Sequence, residues 1–269
     1  MRSRVLVSVV GVPLILLIVF WAPAWVLALA LALLSAIAAF EMMRCVGVVR
    51  SFGESCVLSN TAILGAFCAV WVQYQTDEFY TVLLVAYTLL IFAYAVYRAG
   101  DVKFQQIMAA LFAMCVLPYA FGAFLRLHDM GLHRAYLLLP LIFSFCSDTG
   151  AFFVGCAFGR HKLAPRVSPH KTVEGALGGL LGNAVGAVVF GLVLNLVLKE
   201  SLDLPGLVAL GLICSVVAQL GDLSFSLIKR EFGIKDYGRI FLEHGGVLDR
   251  FDSVIFVAPM LTALLPWLL

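Results

Sequence analysis

Apolar residues in this chain do not alternate with polar ones; they run in long blocks. Crossing a bilayer as a helix takes about 20 mainly apolar residues. Blocks of that kind occupy 5–21, 23–40, 57–76, 79–97, 105–125, 135–158, 176–198, 204–222 and 252–269. A membrane barrel strand would show a two-residue alternation instead, and backbone polar groups in lipid must be satisfied within a helix or a closed barrel. The pattern therefore predicts an all-α, polytopic membrane bundle of about nine transmembrane helices and disfavours strands. A short turn around Trp21-Ala22-Pro23 separates the first two blocks and predicts a tight helical hairpin. Met1-Arg2-Ser3-Arg4 followed by Val5–Trp21 resembles a signal peptide, with Ala22-Pro23-Ala24 mimicking a cleavage site. Another apolar block follows where a polar mature domain would stand, so the segment reads as a retained first helix.

Composition agrees with the blocks. Of 269 residues, 63% are hydrophobic and 13% charged, against about a quarter charged in a soluble domain. So few polar residues cannot cover a water-facing exterior. The net charge of +2 gives no reason to expect nucleic acid. Seven cysteines form no C-x-x-C pair, and Cys68, Cys115, Cys146, Cys156 and Cys214 lie inside apolar blocks. That usage reads as packing residues, not disulfides or a zinc site.

The placement of charge sets an orientation. With a cytoplasmic N-terminus, the inner loops hold Arg2, Arg4, Arg44, Arg50, Arg98, Lys103, Arg160, Lys162, Arg166, Lys171, Lys229, Arg230, Lys235, Arg239 and Arg250. The outer loops hold Arg126, Arg134 and Lys199. This obeys the positive-inside rule and puts the long polar loops 159–175 and 223–251 on the cytoplasmic side. Residues 1–130 then read as N-terminal transmembrane helices and 131–269 as C-terminal catalytic helices carrying those loops. Gly178, Gly182 and Gly186, four apart, form a stripe of the kind that lets helices approach closely in lipid.

Candidate chemistry sits in three places. Asp148 interrupts an apolar block, at a cost of about 3 kcal/mol at a helix centre; it faces a partner or wet cavity, or is a protonated group bonded within the bundle. In the loop Gly159–Gly175, Ser168-Pro169 resembles an N-cap followed by Pro at the first helical position. Lys171 would then lie in the first turn, beside free N–H groups suited to phosphate. The alternative is contact of the basic residues with lipid head groups. Further on, Asp222, Ser226 and Lys229 are spaced to share one face of a continuing helix. Asp249 and Asp252 share a face if the last helix starts near Asp249. Gly245-Gly246 would let backbone approach a ligand closely. Carboxylates beside Lys and Arg suit Mg²⁺ bridging substrate phosphates, with the cations offsetting charge on a phosphate under attack.

Ser226, Lys229-Arg230, Lys235-Asp236, Gly238, His244-Gly245-Gly246, Asp249-Arg250 and Asp252 resemble, spacing included, the signature of CDP-diacylglycerol synthases, also called phosphatidate cytidylyltransferases. Asp148, Gly159-Arg160, His161-Lys162-Leu163, Pro165, Ser168-Pro169, Lys171-Thr172 and Glu174-Gly175 also resemble the family. The motif-bearing resemblance covers residues 140–255; the first 130 residues resemble it only as generic membrane helices. There are two departures. Leu242-Glu243 stands where Pro, often Pro-Gly, precedes the His-Gly-Gly, and His170 stands where Lys is common.

The resemblance implies transfer of a cytidylyl group from CTP to phosphatidic acid, giving CDP-diacylglycerol and pyrophosphate, with Mg²⁺ or another hard divalent cation as cofactor. Asp222 and Asp249 are the expected principal metal ligands, with Asp252 and Asp148 as neighbours. Lys171, Lys229, Arg230 and Arg250 are expected to contact phosphate, and Asp236 belongs to the same catalytic set. Ser168, Thr172, Glu174, Ser226, Gly245 and Gly246 are expected around the substrates. His244 positions phosphate or the leaving group, or caps a helix. Expected partners are CTP, phosphatidic acid and membrane lipids, in the cell inner membrane; a homo-oligomer is compatible with the sequence, which fixes no oligomeric state. The rival readings are a polyprenol or phytol kinase, which the Lys-Asp to Asp-Arg-x-Asp spacing opposes, and an ion-coupled transporter, which would show inverted repeats.

Overall fold

The computed structural model describes residues 2–48, 57–199, 203–238, 240 and 245–268. They fold into ten α-helices, two of which run on as one span, giving nine helical segments, eight of them long and apolar enough to cross a membrane. The chain is thus a polytopic membrane protein. It divides into two compact units, Met1–Ala135 with Glu231–Phe251, and Tyr136–Arg230 with Asp252–Leu269.

The first unit contains α1 (Arg2–Trp21), α2 (Ala24–Cys45), α3 (Val57–Gln75), α4 (Asp77–Tyr97), α5 (Phe104–Leu111) and α6 (Leu117–Asp129). Pro23 breaks the helix between α1 and α2, as the expected hairpin requires. Small side chains bring α2 against α3: Ala28, Ala32, Ser35 and Ala39 face inward on one, and Ala62, Ala66 and Ala69 on the other, all fully buried. Residues three and four apart share a helix face, and small ones there let backbones come close where lipid removes the hydrophobic drive for association. α5 and α6 form one continuous span, Phe104–Asp129, widened at its centre into a π turn over Phe112–Val116. Pro118 stands two residues beyond it; it has no N–H to continue the α-helical ladder. Tyr80 donates to the carbonyl of Cys115 inside the widened turn, at 3.1 Å.

The second unit contains α7 (Leu139–Phe158), α8 (Val173–Leu198), α9 (Leu204–Glu231, of which residues through Arg230 belong here) and the part of α10 (Val247–Leu268) from Asp252 onward. The glycine stripe of α8 lies on α7. A Cβ on Gly178 would strike Val154 and the carbonyl of Gly150, and one on Gly182 would strike the carbonyl of Cys146. Leu181, Val185 and Val189 of α8 are exposed, as expected of a lipid-facing side.

One expectation is corrected. Ser168 does not cap a helix, and Lys171 is not in a first turn. Lys162–Ala164 (β1) and Ser168–Thr172 (β2) form a two-stranded antiparallel hairpin, with Lys162 opposite Thr172 and Ala164 opposite Ser168. Pro169 tolerates a strand that has an open edge. The helix starts five residues later than Ser168 because Thr172 is the better cap: its Oγ1 accepts the Gly175 N–H at 3.1 Å.

Candidate active site

In the second unit, α7, α8, α9 and the hairpin converge on one cavity of about 460 Å³. α7 contributes Asp148, the hairpin contributes His170 and Lys171, and α9 contributes Gln219 and Asp222. Phe152 and Leu163 line it from the apolar side. Lys171 forms an ion pair with Asp222, and each side chain is about three-quarters covered (26% and 24% exposed). Ser226, one turn beyond Asp222, donates its hydroxyl to the Asp222 carboxylate at 3.3 Å. Because α9 continues unbroken to Glu231, Asp222, Ser226 and Lys229 do share a face. Asp148 interacts electrostatically with Asp222 and Lys171, and Asp252 with Asp222, Lys229 and Asp148.

The hairpin is held by its own acid. The Glu174 carboxylate accepts the backbone N–H of Arg160 at 3.1 Å and that of His161 at 3.2 Å, and lies 2.6 Å from His161 Nδ1. Arg230 reaches back from the end of α9 to donate to the Val167 carbonyl at 3.4 Å. Thr172 is buried where the two helix ends meet: a Cβ on Gly155, Gly159 or Gly175 would approach its Oγ1 to 3.2, 2.9 and 2.9 Å. Of the residues expected around substrate, Glu174 and Thr172 thus fix the loop, Lys171 enters the cavity, and Ser168 sits half-buried at the start of β2.

In the first unit, Asp236 and Arg250 are exposed, and Gly245 and Gly246 are buried. Gly245 has φ +83°, a left-handed conformation that a side chain resists. Asp249 sits in the first turn of α10, where one carboxylate oxygen accepts the N–H of Gly246 at 2.9 Å and of Tyr237 at 2.8 Å. A first-turn acid that takes the N–H at the helix cap is half of a capping box. His244 and the Leu242-Glu243 departure lie outside the described residues, as do Arg50 and Arg239.

Two polar residues escaped the sequence reading. Gln219, one turn before Asp222, lines the cavity and donates to the Ala176 carbonyl and to Ser215 Oγ, at 3.1 and 3.3 Å. Glu41, on α2 of the first unit, is 1% exposed and accepts the N–H groups of Val247 and Leu248 at 3.0 and 2.9 Å. Gln219 carries the signal that singled out Asp148, a polar side chain inside an apolar block, and Glu41 carries it at the edge of one.

Among the described residues no three His, Cys, Asp or Glu side chains stand in ligating geometry. The donor chemistry nonetheless suits a hard cation. Asp148, Asp222 and Asp252 supply carboxylate oxygens within electrostatic reach of one another, and Mg²⁺ needs only one or two carboxylates when waters and substrate phosphates complete its shell.

Helices that cross a membrane, with a cavity between them carrying paired cation and carboxylate beside apolar walls, define an integral membrane protein equipped to handle a phosphorylated, partly apolar substrate. The chain belongs to the cytidylyltransferase family, whose model matches residues 2–268. It is 35% identical over 182 residues to the phosphatidate cytidylyltransferase of Staphylococcus aureus (strain COL), covering 68% of each chain. The proteins of that name from Staphylococcus haemolyticus (strain JCSC1435) and Staphylococcus saprophyticus are 36% and 37% identical over 182 and 185 residues, again covering 68% of each chain.

Proposed function

We propose that the chain transfers a cytidylyl group from CTP to phosphatidic acid, giving CDP-diacylglycerol and pyrophosphate for phospholipid synthesis. The observation that carries this reading, beside the family, is a cavity in which Lys171, Asp222 and Asp148 meet Phe152 and Leu163. A polar nucleotide and a lipid phosphate need such a mixed surface. In the reaction, a phosphate oxygen of phosphatidic acid bonds to the α-phosphorus of CTP as the bond to the β-phosphate oxygen breaks, and pyrophosphate carries away the electron pair. The attacking oxygen is already anionic near neutral pH, so no strong base is required. What must be overcome is repulsion between two polyanions, together with their loss of freedom.

Lys171 and Lys229 supply positive charge in the second unit, and Arg230 steadies the hairpin through Val167 while its charge remains at the loop. Arg250 and Asp236 are offered to solvent from the first unit. Asp222, Asp148 and Asp252 are the residues that would hold a divalent cation in the second unit; Asp249 is the candidate ligand in the first. When bound, such a cation neutralises phosphate charge and polarises the phosphoryl oxygens. The positive-inside distribution supports a cytoplasmic site in the inner membrane, with CTP arriving from water and the lipid from the side.

Purified protein incubated with radiolabelled CTP and phosphatidic acid should yield labelled CDP-diacylglycerol when Mg²⁺ is present. Transfer of a γ-phosphate to a lipid alcohol, or no turnover with any phosphatidic acid, would overturn the reading.

A further inference from the structure

We propose that Glu41 is a positioning residue for this reaction: from α2 it holds the first turn of α10, and with it the Gly245-Gly246 turn and the Asp249 carboxylate. All the residues concerned belong to the first unit. A helix start leaves its first N–H groups without partners in the helix. Here the two Glu41 oxygens take those of Val247 and Leu248, and Asp249 takes that of Gly246. The fit leaves no spare room: a Cβ on either Gly238 or Gly246 would collide with the Glu41 carboxylate. One turn along the same face of α2, Arg44 donates to the Tyr237 carbonyl at 3.3 Å. The N–H of Tyr237 in turn donates to Asp249. α2 therefore holds Tyr237 at one point and Val247-Leu248 at another, and both grips lead to the same carboxylate oxygen of Asp249.

A carboxylate placed only for helix stability would need neither the two glycines nor the second grip. The arrangement assigns to the amino-terminal helices a part in the site, through a residue that touches no substrate. The kinetic consequence rests on the activity proposed above; the structural one does not.

The test is hydrogen exchange on the full-length protein in detergent, without substrates, combined with steady-state kinetics. Glu41→Gln keeps size and one acceptor but places an N–H donor against a backbone N–H. Exchange at Val247, Leu248 and Tyr237 should quicken at least tenfold, with α7 and α8 unchanged. The kcat should fall about 10- to 100-fold, the range seen when a residue that orients a ligand group is lost, while KM for CTP moves less than about threefold. Gly246→Ala pushes on the same contact from the other side, so its combination with Glu41→Gln should cost less than the product of the two effects. Unchanged exchange would overturn the grip. Quickened exchange with unchanged kcat would reduce Glu41 to a structural cap and overturn its role in the reaction. If Glu41→Gln does not fold, Arg44→Gln carries the same two readouts at Tyr237, and wild-type behaviour there overturns the proposal. A wild-type protein without cytidylyl transfer would sink the activity and leave the exchange result standing.

Discussion

Asp148, midway along α7, and Asp249, in the first turn of α10, are both helix-borne acids, yet the structure gives them opposite burdens. Asp148 lines the cavity with Phe152 and Ala151 of its own helix, is repelled by Asp222 and Asp252, and is relieved by Lys171. An acid in such a place costs about 3 kcal/mol relative to an apolar residue. Asp148→Asn should therefore raise the melting temperature in detergent while lowering cytidylyl transfer at least tenfold; a variant equally active and more stable would make Asp148 a tolerated polar group. Asp249 is instead supported by two backbone N–H groups, and charge-assisted bonds of this kind are worth about 1.5–3 kcal/mol each. Asp249→Asn keeps one acceptor oxygen, which can still take both N–H groups but without the charge. We expect a folded protein, slightly less stable and without CTP turnover. Near-normal turnover at saturating Mg²⁺ would remove Asp249 from the chemistry. Asp148 was legible in the sequence because a charge inside an apolar block stands out. Glu41 gave the same signal but sits at the edge of its block, and its partners are 206 and 207 residues away, beyond anything local periodicity can see.

Elements were easier to read than their ends. Every apolar block became a helix, because in lipid the backbone has no other open-chain solution. α9 runs nine residues past the 204–222 block to Glu231, into the stretch read as loop 223–251, and so provides the continuing helix on which Asp222, Ser226 and Lys229 share a face. The start of α8 did not. Ser168-Pro169 carries the local pattern of a helix start, but pairing of β1 with β2 and the clasp of Glu174 on Arg160 and His161 outweigh it. The competing cap, Thr172, has a directly measurable role. Thr172→Ala should cost about 1 kcal/mol, the usual loss on removing an N-cap hydroxyl, and should weaken Lys171-dependent turnover because Lys171 is the adjacent residue. Thr172→Ser should restore both. A melting curve and a CTP titration of the pair check it; equal behaviour of the alanine and serine variants would separate the cap from the site.

For the whole molecule, the alternation of basic loops is a statement about sides of a membrane. Single cysteines at Arg166 and Lys235, both exposed, in a background without native cysteines, should react with an impermeant thiol reagent only when it has access to the cytoplasmic face. Reaction from opposite faces would overturn the orientation. Tyr237 is unsuitable as a reporter because it is 1% exposed. The membrane class was readable from the apolar blocks along the whole chain, and the family from motifs concentrated in residues 140–255. The part played by residues before them was not: α2 reads as one more apolar span until its carboxylate is seen facing the far end of the chain.

That carboxylate also sets a timetable. Ribosomes add about 5–20 residues per second, so the amides that satisfy Glu41 leave the ribosome roughly 10–40 seconds after it does. For that interval the nascent protein holds an acid in or beside the bilayer with its final partners still unmade. Chains that stop before Val247 never acquire them, and each truncated product keeps that acid without the two amides that satisfy it in the full chain.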